Sequence, residues 1–404
     1  MNYPYRSKAL EKLGVRSWLN AENWSTTIGG SVLDERVIEA MAEVGRVYCN
    51  VQELLDKGAA RIAQLCGVEA AYITSGSAAG IVLSTTACIT GNSRRKMAQL
   101  FGGLAGREGL PNEIVMQAAQ STGYDAQFYV GGGELVHVGH PDSIARFHVE
   151  AAISEKTVAL AYVHSYHNSP KHLPFSVMAD IAAKANLPLI VDCAAVVPPR
   201  DNLHKFVDEG ADLAIFSGGK AIRAPNNTGI ILGGGRFGKK LIEAMREQAF
   251  PSYGVGRAFK VNKESAIALV TAVEIFFEED EKARYAAQLK TAEDMAKALV
   301  GVPGLSARVV RNDDHDFEHP ISAMVPRVML EWDARSVGFD GGKLDALMAA
   351  GEPPIRLRPP RMTQGVTNSN SVRLIDLYFL RPGEPELVVE CVKQAFAEGV
   401  RGRG

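Results

Sequence analysis

Cysteine is scarce in this chain, and what there is does not pair off. The 404 residues hold five, Cys49, Cys66, Cys88, Cys193 and Cys391, widely spaced and with no C-x-x-C. An odd, scattered set excludes a disulfide framework and a structural cysteine–zinc site, and it fits a reducing cytosol. Long apolar runs are missing too. No segment approaches the ~20 residues of a membrane span, and the opening MNYPYRSKALEKLG has no apolar signal core. Neither sign of charge dominates: 44 Lys and Arg stand against 46 Asp and Glu, a formal net charge of −2. The basic footprint of a dedicated nucleic-acid binder is therefore absent. Internal repeats, low-complexity tracts and Pro/Ser-rich linkers are also lacking. The expectation is a soluble cytoplasmic protein that partners a small molecule, with no nucleic acid and no membrane.

What is present is an alternation. Hydrophobic residues make up 46% of the chain, enough at this length for two or three domains around a large core. After a poorly periodic start, the spacing of Val37, Met41, Val44 and Val47 predicts one or two amphipathic helices between Asp34 and Cys66. Short apolar strands then alternate with helices: VEAAYIT, ELVHVG, TVALAYVHS, LPLIVDC and ADLAIFS are the strands. That is the signature of a parallel sheet covered on both faces. From about Val261 one long helix or two in succession is predicted. SARVV, RVMLEW and SVRLIDLYFL follow as strands of a smaller α+β domain, closed by the helix ELVVECVKQAFAEGV. The segments expected are an N-terminal arm over 1–40, a large domain over 41–260, and a linker helix with the small domain over 261–404.

Ligands of an open parallel sheet sit beyond the carboxyl ends of its strands. Three features stop at that edge. TSGSAAG turns from strand to helix, so the N–H groups of Gly76, Ser77 and Ala78, helped by the Ser75 and Ser77 hydroxyls, form an anion site. An ordinary capped helix start reads the same way. Asp192 ends LPLIVDC, where a carboxylate is expensive unless a cation or donors meet it. The alternative is a turn or cap aspartate. Lys220, one helix and one strand further on, follows Ser217-Gly218-Gly219. Shielded from water, a lysine becomes a nucleophilic amine; otherwise it is a strand-end cation in solvent. An anion cradle, a carboxylate and such a lysine are what pyridoxal 5′-phosphate requires, with Ser217 as a further phosphate donor. His164 and His167 have no third ligand beside them, so no metal is expected. GGGRFG reads as a turn after a strand, and SGGKA lacks the glycine and hydroxyl of a Walker loop.

The stretches GGSVLDERVIEAM, AAYITSGSAAGIVLSTTACITG, VDCAAVVPPRDNLHKFVDEGADLAIFSGGKAIRAPNNTGIILGG, YGVGRAFKVNKESAIAL and GEPPIRLR resemble the SelA-like branch of fold-type-I pyridoxal-phosphate enzymes. Selenocysteine synthase and the D-glucosaminate-6-phosphate ammonia-lyase group belong to that branch. The resemblance implies an α/β, aminotransferase-like fold. Its large domain has a seven-stranded, mostly parallel sheet, beside a smaller α+β C-terminal domain. It implies a homodimer or higher oligomer with active sites between subunits. It makes Lys220 the Schiff-base lysine, Asp192 the partner of the pyridine nitrogen and Ser75 to Ala78 the phosphate turn. Arg358 becomes the carboxylate clamp, with Arg356 or Arg257 as substitutes. A guanidinium fork suits that role, though a strand arginine in an ion pair is the competing reading.

Before GYD, ammonia-lyase-like members carry a histidine that stacks on the cofactor ring. Here Gln120 stands in its place and is expected to cover the ring without acting as a base. His167 is a candidate to approach the ring hydroxyl or the substrate. The activity these residues imply is a lyase that takes the Cα proton of a small, possibly hydroxylated or phosphorylated, amino acid. β-Elimination then releases ammonia and a 2-oxo acid. The same chemistry serves an aldolase, a racemase, or a β-replacement or selenium-transferase-like enzyme. A non-catalytic scaffold would not need the lysine, the aspartate and the turn together.

Overall fold

The computed structural model describes residues 5–102, 109–164, 172–311, 325–360 and 369–401. Its strands are β1 (Leu19–Ala21), β2 (Ala70–Thr74), β3 (Glu113–Gln117), β4 (Glu134–Val138), β5 (Thr157–Val163) and β6 (Leu189–Asp192). They continue with β7 (Leu213–Ser217), β8 (Gly229–Gly233), β9 (Leu305–Val310), β10 (Arg327–Trp332), β11 (Ile355–Leu357) and β12 (Val372–Asp376). The chain forms two compact units. One is Val32–Glu279; the other joins Met1–Ser31 to Asp280–Gly404.

The larger unit is built on a seven-stranded sheet in the order β2-β8-β7-β6-β5-β3-β4. Every pairing is parallel except those of β8, which runs against both β2 and β7. β5, β6 and β7 are nearly unbroken apolar runs because both sheet faces are covered. Ile190, Leu213 and Ile215 are at most 1% exposed. Burying each such side chain contributes roughly 1.5–3 kcal/mol. The helix Ser77–Thr90 is apolar nearly all round and buried along most of its length, packing on β7 and β8. Gly80 permits that approach: a Cβ there would lie 2.7 Å from the Ile215 side chain.

The smaller unit holds an antiparallel sheet, β12-β10-β9, and a parallel pair, β1-β11. Alternation sorts β10 and β12 into two faces. Val328, Leu330 and Ile375 join Val392 and Phe396 of the helix Glu384–Arg401 in one core. Met329 and Leu374 lie in a second cluster on the opposite side.

These bounds differ from the segments read along the sequence. The helix Lys263–Glu278, assigned there to the linker, packs on the helices Glu35–Val44 and Val51–Cys66 of the larger unit. The N-terminal residues, read as an arm, group with the C-terminal unit because β1 pairs with β11. Of the one or two helices expected between Asp34 and Cys66 there are two, Glu35–Val44 and Val51–Cys66, and Val47 falls between them, 53% exposed. β3 and β8 were not singled out in the sequence. Among the described residues no helix is long and apolar enough to cross a membrane.

Candidate functional site

β2, β7, β6, β5 and β3 all end at one edge of the large sheet, and β8 begins there. Register fixes the order along this edge. Gly229, the first residue of β8, is paired with Thr74 on one side and Ser217 on the other. Asp192 stands level with Ile215 of β7 and Val163 of β5. The Ser75–Ala78 turn and the Ser217–Lys220 segment therefore flank one residue of β8, and Asp192 comes next along the edge.

The turn works because of its glycine. Gly76 sits at φ 126°, a conformation open to glycine, and precedes the 14-residue helix beginning at Ser77. The first N–H groups of a helix lack intrahelical acceptors, and the aligned peptide dipoles add partial positive charge. Ser75, Ser77 and Ala78 are partly exposed, so an anion can reach them. β8 passes directly beneath. A Cβ on Gly229 would lie 2.5 Å from the Gly76 carbonyl carbon and 2.7 Å from the Ser77 nitrogen. Gly229→Ala should therefore push the turn away, at about 1–3 kcal/mol of overpacking. A lower Tm together with weaker phosphate binding checks this, and unchanged phosphate affinity would remove Gly229 from the site's support.

Lys220 lies three residues past β7 and is half-buried. Its loop is folded back on itself. Gly218 N–H donates to the Thr228 carbonyl, Ala224 N–H to the Gly218 carbonyl, and Arg223 N–H to the Lys220 carbonyl at 2.9 Å. Gly218 and Gly219 have no room for a side chain against Thr228 and Asn226. The lysine is thus presented from a rigid hairpin of backbone.

Asp192 is held differently from Asp212, the buried aspartate just before β7. Both oxygens of Asp212 accept backbone N–H groups, from Leu189 and Phe237 at 2.9 Å, at the far end of the sheet. Asp192 Oδ1 accepts the Ala194 N–H at 2.9 Å. Burial raises its pKa, while the Ala194 N–H and the Lys220 charge pull it back down. A partly exposed carboxylate in this state is a ready partner for a cationic ring N–H. Anion turn, carboxylate and lysine thus match the phosphate, pyridine nitrogen and aldehyde of pyridoxal phosphate.

Gln120 ends a short 3-10 turn after β3 and is fully buried. Its Oε1 accepts the Val163 N–H at 3.2 Å. It therefore ties the turn after β3 to β5. His167 lies outside the described residues. Arg358 belongs to the smaller unit, 6% exposed and bridged to Leu374 of β12, with Nη1 3.5 Å from Asp376 Oδ2. Gly229, which supports the turn, was missed in the sequence; its only signal is a glycine opening an apolar run. No group of residues that could hold a metal occurs among those described.

No family model matches the chain. It is 32% identical over 364 residues to the 5′-C-glycyluridine monooxygenase-decarboxylase of a Streptomyces species, covering 88% of this chain and 85% of that protein. To the D-glucosaminate-6-phosphate ammonia lyase of Salmonella typhimurium it is 30% identical over 389 residues, covering 95% and 96%. To the L-seryl-tRNA(Sec) selenium transferase of Desulfotalea psychrophila identity is 25%, and the match spans 54% of that protein. Among solved structures, D-glucosaminate-6-phosphate ammonia-lyase superposes with a TM-score of 0.80 at 27% identity, over 97% of this chain and 99% of that one. Serine palmitoyltransferase from Sphingomonas wittichii, at 0.58 and 13% identity over 95% and 88%, shares the fold.

Proposed function

The chain belongs to the SelA-like family of fold-type-I pyridoxal-phosphate enzymes, and from that membership we propose that it is a lyase for a small amino acid. The reading is supported by the solved ammonia-lyase, which matches nearly the whole chain. The observation that carries it is the convergence of the Ser75–Ala78 turn, Asp192 and Lys220 on one sheet edge. When bound, the cofactor supplies an electron sink for the electron pair left at Cα.

The rest falls to side chains and backbone. The first-turn N–H groups and the Ser75, Ser77 and Ser217 hydroxyls hold the phosphate. Asp192 keeps the pyridine nitrogen protonated. Lys220 carries the cofactor covalently, and with substrate in place its amine moves the Cα proton. Loss of the group at Cβ and hydrolysis then yield ammonia and a 2-oxo acid. Assay of the holoprotein against a panel of hydroxylated and phosphorylated amino acids, reading both products, tests this. Turnover without either product would sink it.

One observation favours a second outcome. Gln120 cannot serve as a base near neutral pH, and a relative of 32% identity is named as a monooxygenase-decarboxylase. The same electron pair at Cα would then meet oxygen, and substrate-dependent oxygen uptake with carbon dioxide release would identify that course.

Arg358 is assigned the substrate's α-carboxylate. Arg358→Ala should raise KM by the equivalent of about 2–5 kcal/mol, the range for truncating one partner of a buried charge pair. Cofactor absorbance should stay as in the parent. Amines lacking the carboxylate should lose far less affinity than amino acids do. Equal losses would take the clamp away from Arg358 and turn attention to Arg356 or Arg257.

A further inference from the structure

Lys220 is followed by Ala221, Ile222 and Arg223, and the arginine stands at φ 61°, in the left-handed region. A side chain there crowds the backbone, so glycine is the usual occupant and asparagine the next. The other non-glycine residues with positive φ among those described are both asparagines, Asn23 and Asn186. Arg223 is the outlier. Strain of this kind persists only where the surroundings over-determine it, and it clusters at functional sites.

Here the surroundings do so in several ways. Arg223 N–H donates to the Lys220 carbonyl and Ala224 N–H to the Gly218 carbonyl, both at 2.9 Å, so the left-handed residue is where the hairpin turns back. Ala221, Ile222 and Ala224 are at most 2% exposed and hold the backbone on either side. The Arg223 guanidinium reaches the Glu279 carboxylate, Nη1 to Oε1 at 3.5 Å, at the end of the helix Lys263–Glu278. That helix end is itself fixed: Arg200 Nη1 donates to the carbonyls of Phe277 at 2.8 Å and Glu279 at 3.2 Å. Cations are favoured there, where the last carbonyls lack intrahelical donors. All of these residues belong to the larger unit. A glycine at 223 would turn the chain without strain but could not reach this anchor. Burial raises the Asp192 pKa and the Lys220 charge pulls it back, so the amine presented by the hairpin stands near that carboxylate.

We propose that Arg223 is a positioning residue for Lys220: its guanidinium, held by Glu279, keeps the hairpin turned so that the lysine amine stays at the Asp192 edge. This rests on the assignment of the cofactor to Lys220. Arg223 acts through the backbone and moves no proton.

Arg223→Gly tests this, and Glu279→Ala, which removes the anchor and leaves the turn, repeats the test. In cofactor-free protein, covalent attachment of added pyridoxal phosphate should slow about 10- to 100-fold, and kcat of the loaded protein should fall by the same order. Acylation of Lys220 by acetic anhydride, read by peptide mapping of cofactor-free protein, should instead speed up at least about threefold, because a loosened hairpin opens locally. The Tm of Arg223→Gly should not fall, since glycine relieves the strain and a partly exposed ion pair contributes little. Arg223→Lys, which keeps a cation for Glu279, should recover most of the attachment rate. The double variant should be no worse than either single one, because both remove the same tie. Unchanged attachment and acylation, a lower Tm with faster acylation of lysines throughout, or losses that add in the double variant overturn the proposal. If the parent's cofactor label falls on another lysine, the Lys220 assignment fails, and the acylation rates still decide whether Arg223 holds the loop.

Discussion

Lys220→Ala should lower turnover by at least about 10²–10⁴-fold, the range for losing a positioned acid–base group, and should also abolish covalent attachment of the cofactor. The physical reason lies in the loop. Lys220 hangs from a backbone hairpin closed by the Gly218–Thr228 and Ala224–Gly218 hydrogen bonds, so no other lysine inherits its place when it is removed. Borohydride reduction of the parent holoprotein, followed by peptide mapping, should put the label on Lys220. A label elsewhere, or near-normal turnover in the variant, would overturn the assignment. Partial rescue by a small alkylamine would separate proton transfer from cofactor attachment.

Asp192→Asn should keep the cofactor but lose about 10²–10³-fold in kcat, by analogy with removing one preorganised electrostatic group. A neutral amide cannot hold the pyridine nitrogen in its cationic form. The same substitution has a second, opposite consequence. Burial raises the pKa of Asp192, so the folded state binds its proton more readily than the unfolded chain does. Stability linked to this group is then full below the unfolded value, about 3.9, and is lost as pH rises through the folded value. At neutral pH the carboxylate is therefore a burden on the cofactor-free fold. Asp192→Asn should raise the Tm of cofactor-free protein at neutral pH, and the gain should shrink as the pH is lowered. A variant with normal kcat and an unchanged melting profile would make Asp192 an ordinary turn residue.

Lys220 and Asp192 could be read from the chain because each is a charge placed where a buried strand runs out, and strand ends need no tertiary information. The turn at Ser75–Ala78 was legible for the same reason. Gln120 was legible as a position only: that its amide accepts the Val163 N–H depends on the spacing of β3 and β5, which the chain alone does not give. Arg358 stood out as a residue, while its setting did not: Asp376 reaches it from a strand 18 residues on, and that carboxylate is also taken by Arg327 of a third strand. Where one unit gives way to the next was less legible, for a related cause. An apolar stripe such as Ala266, Leu269 and Val273 announces that a helix is covered, not by what.

The pairing of β1 with β11 bears on how the chain is made. Leu19 meets Ile355 and Ala21 meets Leu357, so β1 can find its neighbour only after the chain has been made through residue 357. Contacts of such long sequence separation form late, because the intervening chain must first be ordered. The segment Val32–Glu279 has its own sheet and core and can mature while synthesis continues. Until then β1 waits for its strand partner. β1 is therefore made before the larger unit and paired only after it.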